Sequence, residues 1–98
     1  MQKAGLRHQL GKPKPSALAA VMRRELWLYR QVERLTQEQL GELLDMKQPQ
    51  IARLESGFVE PSMETLNRIS ERLGFDFTIE VRSGRLTATA TRPGSRRA

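Results

Sequence analysis

The sequence has no cysteine, which removes any disulfide framework and any thiolate metal site. It has one histidine, His8. Without a second imidazole or a thiol, neither a metal cage nor a Ser-His nucleophile can be assembled. The reading is therefore non-enzymatic, with no cofactor and no metal. Glu38 and Glu42 stand i, i+4 on one helix face, where a like-charged pair reads as solvated. The few aromatics include Trp27 and Tyr29, both expected to pack rather than to stack on bases. No apolar run approaches the roughly 18 residues that span a bilayer, and the start lacks a signal-peptide apolar region. The chain is expected to be soluble and cytoplasmic, with no membrane partner.

Acid is missing at both ends. The formal charge is +6 over 98 residues, but its distribution matters more than its sum. Residues 1–16 carry Lys3, Arg7, Lys12 and Lys14, and residues 92–98 carry Arg92, Arg96 and Arg97. Between positions 17 and 91, ten basic residues face eleven acidic ones. The tails are basic and the body is not. Residues 1–15 read as a mobile basic arm and residues 92–98 as a disordered basic tail.

Between the tails the apolar period is helical. Ser16 can cap a helix over residues 17–33, with Val21 and Leu28 in register with Leu35, and with Leu18, Met22 and Val32 near the same face. In "LTQEQLGELL", Thr36 and Gln39 form a capping box. Leu40, Leu43 and Leu44 give the apolar stripe. Gly41 in this helix interior implies close approach of a neighbouring helix. A third helix spans 48–55, ended by Gly57, and a fourth spans 63–73, capped by Ser62 and ended by Gly74. The period then falls to 2. In "FDFTIEVR", Phe75, Phe77, Ile79 and Val81 alternate with polar residues, and Ser83-Gly84 can turn the chain into "LTATAT". A lone hairpin is marginal in water, so this one needs a partner surface.

Two short helices joined by a short turn, the first with a small residue inside it, describe a helix-turn-helix. The second helix of such a unit lies in the DNA major groove with its N-terminal residues against base edges. Here it begins "KQPQIARLES". Pro49 in the first turn removes an N–H that no intrahelical acceptor uses. Lys47, Gln48, Gln50 and Arg53 are then directed outward while Ile51 and Leu54 go inside. Gln can pair with adenine N6 and N7, and Arg or Lys with guanine O6 and N7.

Residues 35–74, "LTQEQLGELLDMKQPQIARLESGFVEPSMETLNRISERLG", resemble the Xre, or Cro/cI-like, helix-turn-helix family. The resemblance implies a mainly α fold, a four-helix bundle over 16–74; the strand or hairpin over 75–91, with one apolar face and an open edge, is expected to pair across a dimer, the alternative being packing against its own helices. The resemblance also implies binding to palindromic double-stranded DNA. Lys47, Gln48, Pro49, Gln50 and Arg53 match the base-reading positions, and Gln37 and Ser56 the phosphate contacts. Arg30 and Glu55 match a structural ion pair. The strand "FTIEV" is similar to antitoxins of the HigA and HipB kind, which implies a repressor of its own operon with a toxin protein as partner. A stand-alone regulator without a toxin, and an adaptor that augments a partner's sheet, remain the alternatives.

Several residues depart from the family pattern. Arg34 and Asp45 stand where glycine is usual, and Lys47 is a poor helix cap beside Ser or Thr. The loop "GFVEPS" holds Glu60 and no base, where relatives carry a phosphate clamp, so backbone affinity falls to the basic arms or to dimer avidity. Phe58 and Val59 are apolar in a loop that lies near the two-fold axis of related dimers. Together with Phe75, Phe77, Ile79 and Val81 they are the expected dimer or partner contacts.

Overall fold

Serine and threonine hydroxyls fix three of the four helix starts. Ser16 Oγ accepts from Ala19 N at 2.9 Å, Thr36 Oγ1 from Gln39 N at 3.0 Å, and Ser62 Oγ from Thr65 N at 3.1 Å. Gln39 Oε1 returns the bond to Thr36 N at 2.9 Å, completing the capping box. The computed structural model describes residues 15–92. Its elements are α1 (Ala17–Glu33), α2 (Gln37–Leu44), α3 (Gln48–Ser56), α4 (Met63–Leu73), β1 (Asp76–Arg82) and β2 (Arg85–Thr91). The fold is mainly helical, four helices followed by an antiparallel hairpin. The basic arm and tail expected at the two ends lie outside the described residues, except for Pro15, at the end of the arm, and Arg92.

One core serves all four helices. Leu18, Met22 and Leu26 of α1 meet Leu40 and Leu44 of α2, Ile51 and Leu54 of α3, and Leu66, Ile69 and Leu73 of α4. Phe75 closes this core with no exposed surface. Tyr29 packs against it with ring centroids 6.0 Å apart. Phe75 was expected to face a partner. It lies just ahead of β1, where the chain leaving α4 points inward, so it is core and not a contact residue.

Three other expectations change on packing. Val32 is 64% exposed, because α1 outruns the core near its C-terminus. Leu43 is 45% exposed, which leaves Leu40 and Leu44 as the buried pair of α2. Trp27 does not pack inward; it is 49% exposed. Gly41 is indeed at a close approach, but to the turn rather than to a helix axis. A Cβ there would sit 2.5 Å from the Met46 carbonyl oxygen, which makes alanine impossible without movement of the turn.

The α2 C-terminus carries no basic residue of its own. Its free carbonyls are capped from α4, a contact that the sequence reading did not foresee. Arg68 donates to Asp45 O at 3.1 Å, and Arg72 to Leu43 O at 3.2 Å. Charged donors on terminal carbonyls both satisfy the backbone and oppose the negative end of the helix. They hold α2 against α4 and so fix the platform on which α3 stands.

β1 and β2 pair from Asp76↔Thr91 to Arg82↔Arg85. Ser83 (φ 49°) and Gly84 (φ 75°) make the two-residue turn with both φ positive, which matches the twist of a tight hairpin. The register puts Phe77, Ile79 and Val81 opposite Ala90, Ala88 and Leu86 on one face. That face leans on the helical core and grows more open toward the tip, where Val81 is 65% exposed. Arg92, read as part of the tail, instead reaches Glu25 of α1 at 3.8 Å.

Candidate nucleic-acid interface

The exposed end of α3 is built from a chain of polar side chains that begins inside the protein. Arg30 of α1 grips Glu55 with two bonds, Nε to Oε2 at 2.7 Å and NH2 to Oε1 at 2.8 Å. Its third donor, NH1, bonds Leu35 O at 3.1 Å in the link to α2. The hydrogen bond to Glu55 is the main reason that the guanidinium pKa is raised above its usual value; burial opposes the shift and the charge of Glu55 adds to it. Glu55 Oε1 accepts a further bond from Gln37 Nε2 at 3.1 Å. Gln37 Oε1 in turn accepts from Gln48 Nε2 at 2.7 Å. Four residues from three helices thus run without a gap from a largely covered ion pair to the first residue of α3.

Gln48 sits at the outer end of this chain with one Nε2 hydrogen and its amide oxygen uncommitted. Gln50 is held differently. Its Oε1 accepts from Lys47 N at 2.8 Å, so its side chain folds back over the start of the helix with both Nε2 hydrogens uncommitted. The Lys47 ammonium has no lone pair with which to cap; Gln50 supplies only the reverse half of a capping box, while its own N–H bonds Lys47 O at 2.9 Å. Pro49 lies in the first turn of α3, where its missing N–H costs nothing.

Arg53 is exposed, one turn further along α3. It borders a shallow groove with Gln50, Val59, Glu60 and Thr65. Glu60 is the hydrogen-bond acceptor of the Ser16 hydroxyl, which ties the start of α1 to the loop after α3. Ser56 Oγ donates to Arg53 O at 2.6 Å and accepts from Phe58 N at 3.2 Å, closing the end of α3. Phe58 is 58% exposed in the following loop, with Val59 half-buried beside it.

The structure therefore brings Lys47, Gln48, Pro49, Gln50 and Arg53 onto one exposed end of α3, with Gln37 and the Arg30–Glu55 pair behind them. It does not bring Ser56 there with a free hydroxyl. The Gln37–Gln48 bond has no signal in the sequence, since two polar residues eleven apart have no local pattern. Among the described residues, no helix is long and apolar enough to cross a membrane.

The helix-turn-helix family model matches residues 29–79, just over half of the chain, from the last turn of α1 into β1. The chain is also 39% identical over 64 residues to an uncharacterized HTH-type transcriptional regulator of Haemophilus influenzae, an alignment that spans 65% of each protein. No solved structure matches it. With the α2–turn–α3 unit, its largely covered ion pair and the family match all on the same residues, the chain belongs to the helix-turn-helix family of the Xre, or Cro/cI-like, kind.

Proposed function

We propose that the protein is a sequence-specific DNA-binding repressor that reads the major groove with α3. One observation carries this reading: the Arg30–Glu55–Gln37–Gln48 chain aims an exposed glutamine from a rigid base. A side chain fixed before binding loses less entropy on binding. The bonding also divides the labour between the two glutamines. Gln48 keeps an acceptor and a donor, which suits adenine N6 and N7. Gln50 keeps both Nε2 hydrogens while its oxygen already holds the Lys47 N–H, which favours donation to guanine O6 or N7, or to thymine O4. Arg53 suits guanine, and Lys47 and Pro49 frame the start of the helix. The Gln37 amide keeps one Nε2 hydrogen, and this donor, with the backbone N–H in the first turn of α2, is what remains for a phosphate. Ser56 would contact phosphate only after its hydroxyl turns away from Arg53 O.

Selection of bound duplex fragments at physiological salt tests this. An enriched motif is expected, with half-sites about 34 Å apart if two subunits bind together. Gln48→Ala and Arg53→Ala should each relax one base position, at about 1–3 kcal/mol. If both variants return the parent motif, α3 is not the reading element.

The same proposal takes the protein as a homodimer. Val81 at the hairpin tip and Phe58 in the loop are large apolar side chains left more than half exposed, and Phe77, Ile79 and Val59 are partly covered. We take these as the contacts with a second copy and keep Phe75 out of them. A toxin partner, which would make the protein an autoregulating antitoxin, rests on the resemblance of the strand alone. Co-purification with the product of an adjacent reading frame would separate that role from a stand-alone regulator.

A further inference from the structure

The outer side of α1 is used by nothing described so far. Arg23, Trp27 and Gln31 follow one another at i, i+4 and i+8, with Arg24 beside them and Arg34, the left-handed C-cap, just past the helix end, and all five are exposed. At 1.5 Å per residue the stripe is roughly 16 Å long. No carboxylate lies on it. The two acids of α1 are Glu25, which is buried, and Glu33, whose charge acts on Tyr29 on the opposite side. Arg24 touches Glu25 at 3.4 Å but keeps 61% of its side chain exposed. The stem of Arg23 lies over Gly57, so close that a Cβ there would be 2.8 Å from its Cδ. Among the described residues, neither Arg23 nor Arg34 has an anionic partner.

We propose that this stripe docks an acidic protein segment bearing an apolar residue that covers Trp27. The body of the chain carries slightly more acid than base, yet this face gathers three cations and no acid around a half-exposed indole. A DNA backbone would satisfy the arginines and leave the indole as it is, since the outside of a duplex offers phosphate and sugar and no apolar cover. An acidic peptide with an apolar side chain satisfies both. Tryptophan and arginine side by side are also the residues that dominate protein–protein contacts. The stem of Arg23, seated on Gly57, is partly pre-ordered for such a contact. The proposal stands whether or not α3 reads DNA.

Trp27 is the sole tryptophan of the chain, so its fluorescence reports on this face alone. The probe is a synthetic helical peptide with Glu and Leu at i, i+4 spacing. It is compared with a polyglutamate of equal length and with a random-sequence duplex, all at physiological salt. A saturable blue shift with the Glu/Leu peptide is expected, with little response to polyglutamate. Arg23→Glu together with Arg34→Glu should weaken it about tenfold or more. Arg24→Glu together with Arg34→Glu serves as a second variant in case the Arg23 seat on Gly57 matters for folding. A shift with the duplex in place of the peptide would make the stripe a DNA-backbone surface. An emission that moves with protein concentration alone would mean that a second copy covers it. Equal response to polyglutamate, or no response to any probe, overturns the proposal as well.

Discussion

Glu55 and Glu25 are glutamates of the same chain, with side chains 7% and 8% exposed, and their surroundings could hardly differ more. Glu55, in the helix-turn-helix half, is held by two short bonds from Arg30 and one from Gln37. Glu25, on α1 near the end of the hairpin, has Arg24 at 3.4 Å and Arg92 at 3.8 Å. Among the described residues its Oε1 has no hydrogen-bond partner. The first carboxylate is a joint among three helices. The second is a loosely paired charge beneath a hairpin whose Phe77, Ile79, Leu86 and Ala88 pack against the helical core. One half of the molecule is positioned by directional bonds, and the other by burial.

The comparison breaks first at Glu55. Glu55→Ala would leave the Arg30 guanidinium, only 15% exposed, without its anion, and such a loss costs roughly 3–5 kcal/mol. Urea denaturation measures it. A cost below about 1 kcal/mol, the level of an exposed pair, would mean that the joint is ornamental and that Gln48 is not aimed by it. Gly41→Ala comes next. Its added methyl meets the Met46 carbonyl, and overpacking of this kind costs about 1–3 kcal/mol. The same measurement shows whether the turn between α2 and α3 is as rigid as the polar chain requires.

Glu25→Leu should behave in the opposite sense. It removes an unsatisfied buried oxygen, and Arg24 stays solvated, so stability should hold or rise by up to about 1 kcal/mol. A clear loss would show that the Glu25–Arg92 contact anchors the hairpin, and the two halves would then be built alike.

The same contrast explains what the sequence made legible. Caps, helix limits and the strand alternation are local signals, and Ser16, Thr36, Ser62 and the hairpin turn at Ser83-Gly84 stand where the pattern put them. The helix-turn-helix resemblance carried Arg30 and Glu55 to one another across 25 positions. Arg34 (φ 59°) and Asp45 (φ 56°) do adopt the left-handed backbone of the glycines they replace. What stayed hidden was long-range and unpatterned. Nothing local links Arg68 to the α2 carbonyls, or Gln37 to Gln48. Val32 fits the helical period, but period alone does not say how wide the buried face is, and Trp27 lies off that face. Phe75 looked like a strand residue because alternation extends one position into the core.

Tyr29 stands where the two halves meet, with its ring against Phe75, and it allows the smallest test. Burial raises its phenol above the usual value near 10, and the charge of Glu33 one turn on adds to the rise. The fold therefore favours the protonated phenol. Its contribution is whole below a pH of about 10, the unfolded value, and is lost as pH rises through the higher folded value. Tyr29→Phe has no proton to lose. Relative to that variant, the parent should lose stability only above about pH 10. Lysine and arginine titration is common to both chains and drops out of the difference. Tyr29 is also the sole tyrosine, so phenolate absorbance follows the same group directly in the folded protein. A midpoint at or below the unfolded value would mean that the Tyr29–Phe75 contact is open to water. The hairpin would then be a separate element and not an extension of the helical core.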